Sequence, residues 1–259
     1  MLGGKRRRAL IDDLPHAGEQ VFDLALAAVR RGKHVVCEKP LTTSTADATV
    51  LANAAAEAGV TATVPFVYRS HPMVREARAR VLAGEAGRLL TIQGSYLQDW
   101  LLESTDDNWR VDETLGGPSR AFADIGSHLC DLIEFVTGDR IARLQAVTRT
   151  VFGQRSAKAV ATEDLAAVLF ETRDGVVGTL LVSQLAPGRK NRLYIELCGT
   201  DETIERERRE QPVRDDRDQG VGVYLGYQGC AADRAGQDLR GRLARTGSAL
   251  SSKEACRPA

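Results

Sequence analysis

Residues 25–41 read ALAAVRRGKHVVCEKPL. From Phe22 the apolar residues Leu24, Ala25, Ala27, Ala28 and Val29 follow a helical pattern, and Arg30-Arg31-Gly32 supplies the basic residues and glycine that close helices. His34–Cys37 is a short apolar strand running into Glu38-Lys39-Pro40. Thr43 or Ser44 caps a second helix over 46–58, which Gly59 ends, and 60–67 reads as a buried, β-branched strand. Helix, strand, helix, strand at this spacing predicts the edge of a parallel α/β sheet. Lys39 then stands past the carboxyl end of a strand, the rim where open α/β sheets receive ligands.

Beyond Tyr68-Arg69 the pattern changes. A helix over 73–83 closes at Gly84, and 89–101 alternates as a long strand. A polar loop over 102–122 carries Trp109 and Gly116-Gly117. A strongly amphipathic helix over 124–137 stops at Gly138. Segments 144–152, 159–171, 176–183 and 192–197 alternate as strands between tight turns, which predicts a large open antiparallel sheet with the 124–137 helix on one face. From 205 the signal decays into a charge run, ERERREQP, and then into a polar mixture, read as a poorly ordered tail. The expected fold class is α/β: an irregular N-terminus (1–20), a remnant of a parallel sheet (21–68), an α+β domain (69–204) and the tail (205–259).

The 259 residues hold 35 Lys+Arg and 35 Asp+Glu, so no global field favours nucleic acid or an anionic membrane. The apolar runs fall far short of the ~20 residues of a membrane span. Five cysteines, none in a CxxC pair, read as reduced thiols of a cytoplasmic protein. The four histidines lack partners at metal-ligand spacing, so no metal site is expected.

The chemistry concentrates on two segments. Ile125, Leu129, Leu132, Ile133 and Val136 form the apolar stripe of the 124–137 helix, while Asp124, His128 and Asp131 form a second stripe. That second stripe reads either as a solvated face or as a carboxylate beside an imidazole suited to general acid/base work. Asp124 also sits where a helix N-cap would. Lys39 reads either as an exposed loop lysine or as a proton-sharing group at the sheet rim, and the Lys39–Pro40 bond is a candidate cis bond. Tyr68-Arg69 and Trp109-Arg110 either line a sugar-sized pocket or bridge two subdomains.

Three segments together carry a family resemblance. ALAAVRRGKHVVCEKPL (25–41), FVYRSHPMVREARARVLAGEAGRLLTIQGSY (66–96) and NWRVDETLGGPSRAFADIGSHLCDLIEFVTG (108–138) resemble, in order, the signatures of the Gfo/Idh/MocA oxidoreductases. The resemblance covers roughly 22–204. It implies a Rossmann domain followed by an α/β domain whose open sheet often mediates homo-oligomer contacts. It implies NAD or NADP as cofactor and a sugar or polyol hydroxyl as substrate, without nucleic-acid or membrane partners. By that resemblance Lys39, Asp124 and His128 are catalytic, and Glu38, Lys39, Pro40 and Arg69 lie near the cofactor. Tyr96, Trp109 and Arg110 join Asp124 and His128 around the substrate.

The pattern departs from the family at both ends. No GxGxxG precedes 25–41, Pro15-His16 is displaced, and Val21 stands where the family has a histidine. The expectation is a sugar or polyol dehydrogenase impaired by truncation. The alternatives are a non-catalytic sugar-binding or partner-binding module, or a non-functional fragment.

Overall fold

The computed structural model describes residues 8–11, 19–209 and 222–224. Two sheets organise it. In the first, β1 (Arg8–Ile11), β2 (His34–Cys37) and β3 (Ala62–Thr63) are parallel, in the order β1-β2-β3. They are joined through α1 (Glu19–Arg30) and α2 (Thr45–Glu57). Val35 and Cys37 of β2 face these helices and bury against Val21, Ala25, Leu26, Val29, Leu51 and Ala55. Ser44, not Thr43, caps α2 by accepting from the Asp47 N–H. Leu24 is exposed; Val21 and Leu26 take the core positions of α1 instead.

Two features differ from the sequence reading here. Arg8–Ile11 is a strand, within a segment expected to be irregular, because its partner β2 lies more than twenty residues away and the pairing leaves no local signature. The expected strand over 60–67 shrinks to Ala62–Thr63, both exposed at the sheet edge. Pro65, two residues on, cannot donate to a ladder, and the chain turns into a 3₁₀ turn at Val67–Ser70.

The second sheet builds from α3 (Pro72–Leu82), β4 (Leu89–Leu97), the short α4 (Glu113–Gly116), α5 (Ser127–Thr137) and β5 (Ile141–Arg149), then the small hairpin β6 (Gln154–Arg155) and β7 (Lys158–Ala159). It continues through β8 (Leu165–Thr172), β9 (Val177–Ser183), β10 (Arg192–Gly199), β11 (Thr203–Arg209) and β12 (Gly222–Tyr224). Seven of these strands pair in the order β12-β11-β10-β4-β9-β8-β5. All pairs are antiparallel except β4–β9.

One face carries α5 and α3. Leu129, Leu132, Ile133 and Val136 are fully buried against Ile92, Val182, Leu193, Ile195 and Leu197, so the apolar stripe read from the sequence is the core contact. The opposite face exposes Leu90, Leu169, Val177 and Leu181. Strand β11 extends past 205 into the expected tail. Its alternating charges do not prevent pairing, since ladder bonds are made by the backbone and charge is ordinary near a sheet edge. Residues 210–221 and 225–259 lie outside the described residues.

The helix expected over 124–137 begins differently. Phe122–Gly126 is a π-helical turn and the α-helix starts at Ser127. A Cβ on Gly126 would stand 2.6 Å from the Phe122 ring, so the widened turn requires glycine there. Asp124 is therefore not an N-cap. Glu163 performs that service from the residue before the strand-entry aspartate, accepting from the Arg120 and Phe122 N–H groups at 3.0 and 2.9 Å and from the Ser119 hydroxyl.

Beside it, fully buried Asp164 pairs with fully buried Arg155 at 2.8 Å and with Arg120, and accepts from the Val151 and Phe152 N–H groups. Burial pushes the Asp164 carboxyl up, but the bonds from Arg155 and Phe152 and the charge of Arg120 outweigh it and hold it below the usual carboxylate range. Removing that carboxylate strands two buried guanidinium groups. Asp164→Ala should lower the unfolding free energy in urea by about 3–5 kcal/mol.

Candidate active site

The carboxyl end of β2 and the π turn before α5 meet. The Lys39 ammonium donates to Asp124 twice, to Oδ1 at 2.8 Å and to its main-chain carbonyl oxygen at 2.8 Å, across 85 residues of sequence. Both side chains are mostly buried. π turns recur at functional sites because they reposition backbone groups that a regular helix would hold in its ladder. Here the Asp124 carbonyl oxygen is turned to Lys39. The Lys39–Pro40 bond is cis.

The Asp124 carboxylate has further partners. The Arg110 Nε lies 3.5 Å from Oδ1, and the guanidinium sits over the Trp109 ring at 4.3 Å. The Gln184 amide donates to Oδ2 at 3.1 Å. Both carboxylate oxygens are thus engaged by donors.

His128 lies one turn on, 8% exposed. Three aromatic rings enclose it: Tyr68 at 5.0 Å, Phe66 at 5.7 Å and Tyr96 at 6.3 Å between centroids. Its Nδ1 is buried and has no hydrogen-bond partner among the described residues. Burial, then the positive charge of Lys39, push its pKa down to about 4, against the opposing pull of Asp124. His128 is neutral at neutral pH, an acceptor beside a protonatable lysine. The solvated-face reading of the Asp124–His128 stripe is excluded.

The remaining candidates divide. Glu38 accepts from the Lys39 N–H at 3.3 Å and stays at the β2 rim with Pro40. Tyr96 is 3% exposed, its hydroxyl is 2.6 Å from that of Tyr68, and its ring lies against His128. Arg69 makes a two-pronged pair with Asp131 and lies over the Phe66 and Phe135 rings. It latches the 3₁₀ turn to α5, and Asp131 faces Arg69, not the Asp124 carboxylate. Gly117, with φ of 85°, brings the loop after α4 against Thr43, where a Cβ would meet the threonine methyl at 3.1 Å.

Three residues at the site escaped the sequence reading. Gln184 follows the end of β9, and Glu163 and Asp164 precede β8. Their only signal is a polar residue in an apolar, alternating strand context, which does not reveal a partner forty to sixty residues away.

The lowered pKa of His128 makes stability depend on pH. The unfolded chain binds a proton near the ordinary 6.5, whereas the folded chain resists until about 4. Stability is therefore complete above 6.5 and falls by about 3 kcal/mol as pH drops to about 4. Urea unfolding across this range should show that loss in the wild type, and His128→Gln should abolish this part of the slope.

The site can be set against known proteins. The family model described as GFO/IDH/MocA C-terminal domain matches residues 74–205, and that described as oxidoreductase family, NAD-binding Rossmann fold, matches residues 15–66. A levoglucosan dehydrogenase of Pseudarthrobacter phenanthrenivorans is 30% identical over 204 residues, covering 70% of this chain and 51% of that protein. The chain spans about half the length of the curated relatives it matches. Among solved structures, an oxidoreductase domain protein from Kribbella flavida superposes with TM-score 0.71 at 33% identity, covering 81% of this chain and 59% of that one. A levoglucosan dehydrogenase in complex with NADH and levoglucosan gives TM-score 0.73 at 26% identity, with 86% and 61% covered. The ordered motifs, the two-sheet fold and these matches agree: the chain belongs to the Gfo/Idh/MocA oxidoreductase family.

Proposed function

We propose that this chain carries the reaction centre of an NAD(P)-dependent oxidoreductase acting on a secondary hydroxyl of a sugar or polyol. The supporting observation is the Lys39 ammonium held on Asp124 at 2.8 Å beside a buried, neutral His128. A hydroxyl entering between them would meet a cation to polarise its oxygen and an imidazole to take its proton. Asp124, engaged by Lys39, Gln184 and Arg110, holds the ammonium in place and offsets its charge. The aromatic rings around His128 exclude water from the proton-transfer path.

The residues fit the nicotinamide end of the cofactor. Lys39 and Pro40 stand at the carboxyl end of a parallel strand, the usual position for such a ligand, and the unpartnered Nδ1 of His128 awaits a donor. Glu38, Lys39 and Pro40 would border that end. When bound, NAD(P)⁺ supplies the hydride acceptor.

Cys37, Cys130 and Cys198 are free thiols, which supports a cytoplasmic setting. No helix among the described residues is long and apolar enough to cross a membrane.

A second property has its own support. The outer face of the large sheet exposes Leu169, Val177 and Leu181 together, with Val147, paired to Ala167, exposed on the neighbouring β5. We infer that a second copy of the chain covers this face.

Two measurements test these readings. NAD(P)H binding followed by fluorescence, then turnover across a polyol panel, should show oxidation that Lys39→Ala and His128→Ala each reduce by about 10²–10⁴-fold; saturable sugar binding without nicotinamide reduction would instead mark a non-catalytic binder. Sedimentation should show the wild type as an oligomer and Leu169→Glu/Leu181→Glu as a monomer with an unchanged far-ultraviolet spectrum.

A further inference from the structure

Gln184 is fully buried at the end of β9, where the sheet meets the loop bearing Asp99 and Trp100. Its backbone is fixed by an N–H bond to the Asp164 carbonyl at 3.1 Å. The residues on either side are fixed too. Ser183 accepts from the Gln98 N–H at 2.8 Å, and the Ala186 N–H donates to the Gln98 carbonyl at 2.9 Å. The side chain therefore reaches Asp124 from a backbone that is anchored independently of it.

Its amide nitrogen donates to Asp124 Oδ2. Its carbonyl oxygen is buried and has no partner among the described residues. An apolar residue of the same length would avoid that unsatisfied oxygen, so packing alone does not account for a glutamine here. What the amide adds is directional. With Oδ2 held by Gln184, Oδ1 must face Lys39 and Arg110. A carboxylate held on one oxygen only is less restrained about its terminal torsion, which has broad, shallow wells.

We propose that Gln184 is a positioning residue: its amide fixes the rotation of the Asp124 carboxylate and, through it, the seat of the Lys39 ammonium and the distance that carboxylate keeps from His128. The inference rests on the reading of Lys39, Asp124 and His128 as the reaction centre. The charged groups acting on His128 are Lys39 and Asp124, and the rings of Phe66, Tyr68 and Tyr96 enclose it. When His128 gains a proton in the wild type, Asp124 cannot turn toward the new charge. Without the amide it can.

The test needs neither cofactor nor turnover. The side-chain ¹⁵N resonances of His128 are followed by NMR against pH in the intact chain, for the wild type, Gln184→Met and Gln184→Glu. Gln184→Met should raise the His128 midpoint by about half a unit or more, because the freed carboxylate stabilises the imidazolium. Gln184→Glu, whose buried acid stays protonated beside Asp124 in the acid range, donates an O–H in the amide's place and should restore the wild-type midpoint. A lower melting temperature in Gln184→Met with an unmoved His128 midpoint would assign Gln184 to packing and overturn the proposal, as would failure of both variants to fold. Polyol oxidation by the wild type is assayed separately. Its absence, with the shift in Gln184→Met present, would count against the dehydrogenase reading and not against the positioning of Asp124.

Discussion

The two bonds from the Lys39 ammonium to Asp124 join the rim of the parallel sheet to the first turn of the helix that covers the large sheet. Each partner is mostly shielded from water, and a buried charge deprived of its counter-ion costs several kcal/mol. The pair therefore constrains both halves of the site: β2 must end where Asp124 waits, and the chain before α5 must open into a π turn to offer its carbonyl oxygen. Gly126 permits that turn by leaving room for the Phe122 ring.

Around this contact the supporting groups are buried polar residues whose partners are distant in sequence. Glu163 takes the N–H groups at the start of the widened turn, Asp164 neutralises Arg120 and Arg155, and Gln184 holds the far oxygen of Asp124. Such networks are strong when every member is satisfied and costly when one is lost. They give the segment 119–128 a fixed floor on the β8–β9 side, while the aromatic rings of Phe66, Tyr68 and Tyr96 close the other side around His128. The result is an ammonium and a neutral imidazole in a site mostly shielded from solvent, the condition under which charge interactions are strongest.

The sequence reading located what local pattern can locate. The apolar stripe Leu129, Leu132, Ile133, Val136 lies on the large sheet, and β4, β8, β9 and β10 appear where alternation places them, within a few residues. It misread elements governed by distant partners or by a single proline. Arg8–Ile11 pairs only because β2 lies beside it, the strand expected over 60–67 ends at Thr63, short of Pro65, and Thr203–Arg209 pairs despite its charges. Asp131, on the same sequence stripe as Asp124 and His128, turns to Arg69 because the π turn shifts Asp124 out of α-helical phase with the residues that follow.

By itself the sequence determined the helical and strand periods and the family signatures around Lys39 and Asp124–His128, because these depend on residues near one another along the chain. Only the tertiary structure decided that Lys39 binds Asp124, that His128 is held neutral inside an aromatic enclosure, and that Gln184, Glu163 and Asp164 belong to the same neighbourhood. Proton affinity and hydrogen-bond partnership are set by burial and by charges a few ångströms away, and those distances exist only once segments far apart in the chain have folded onto one another.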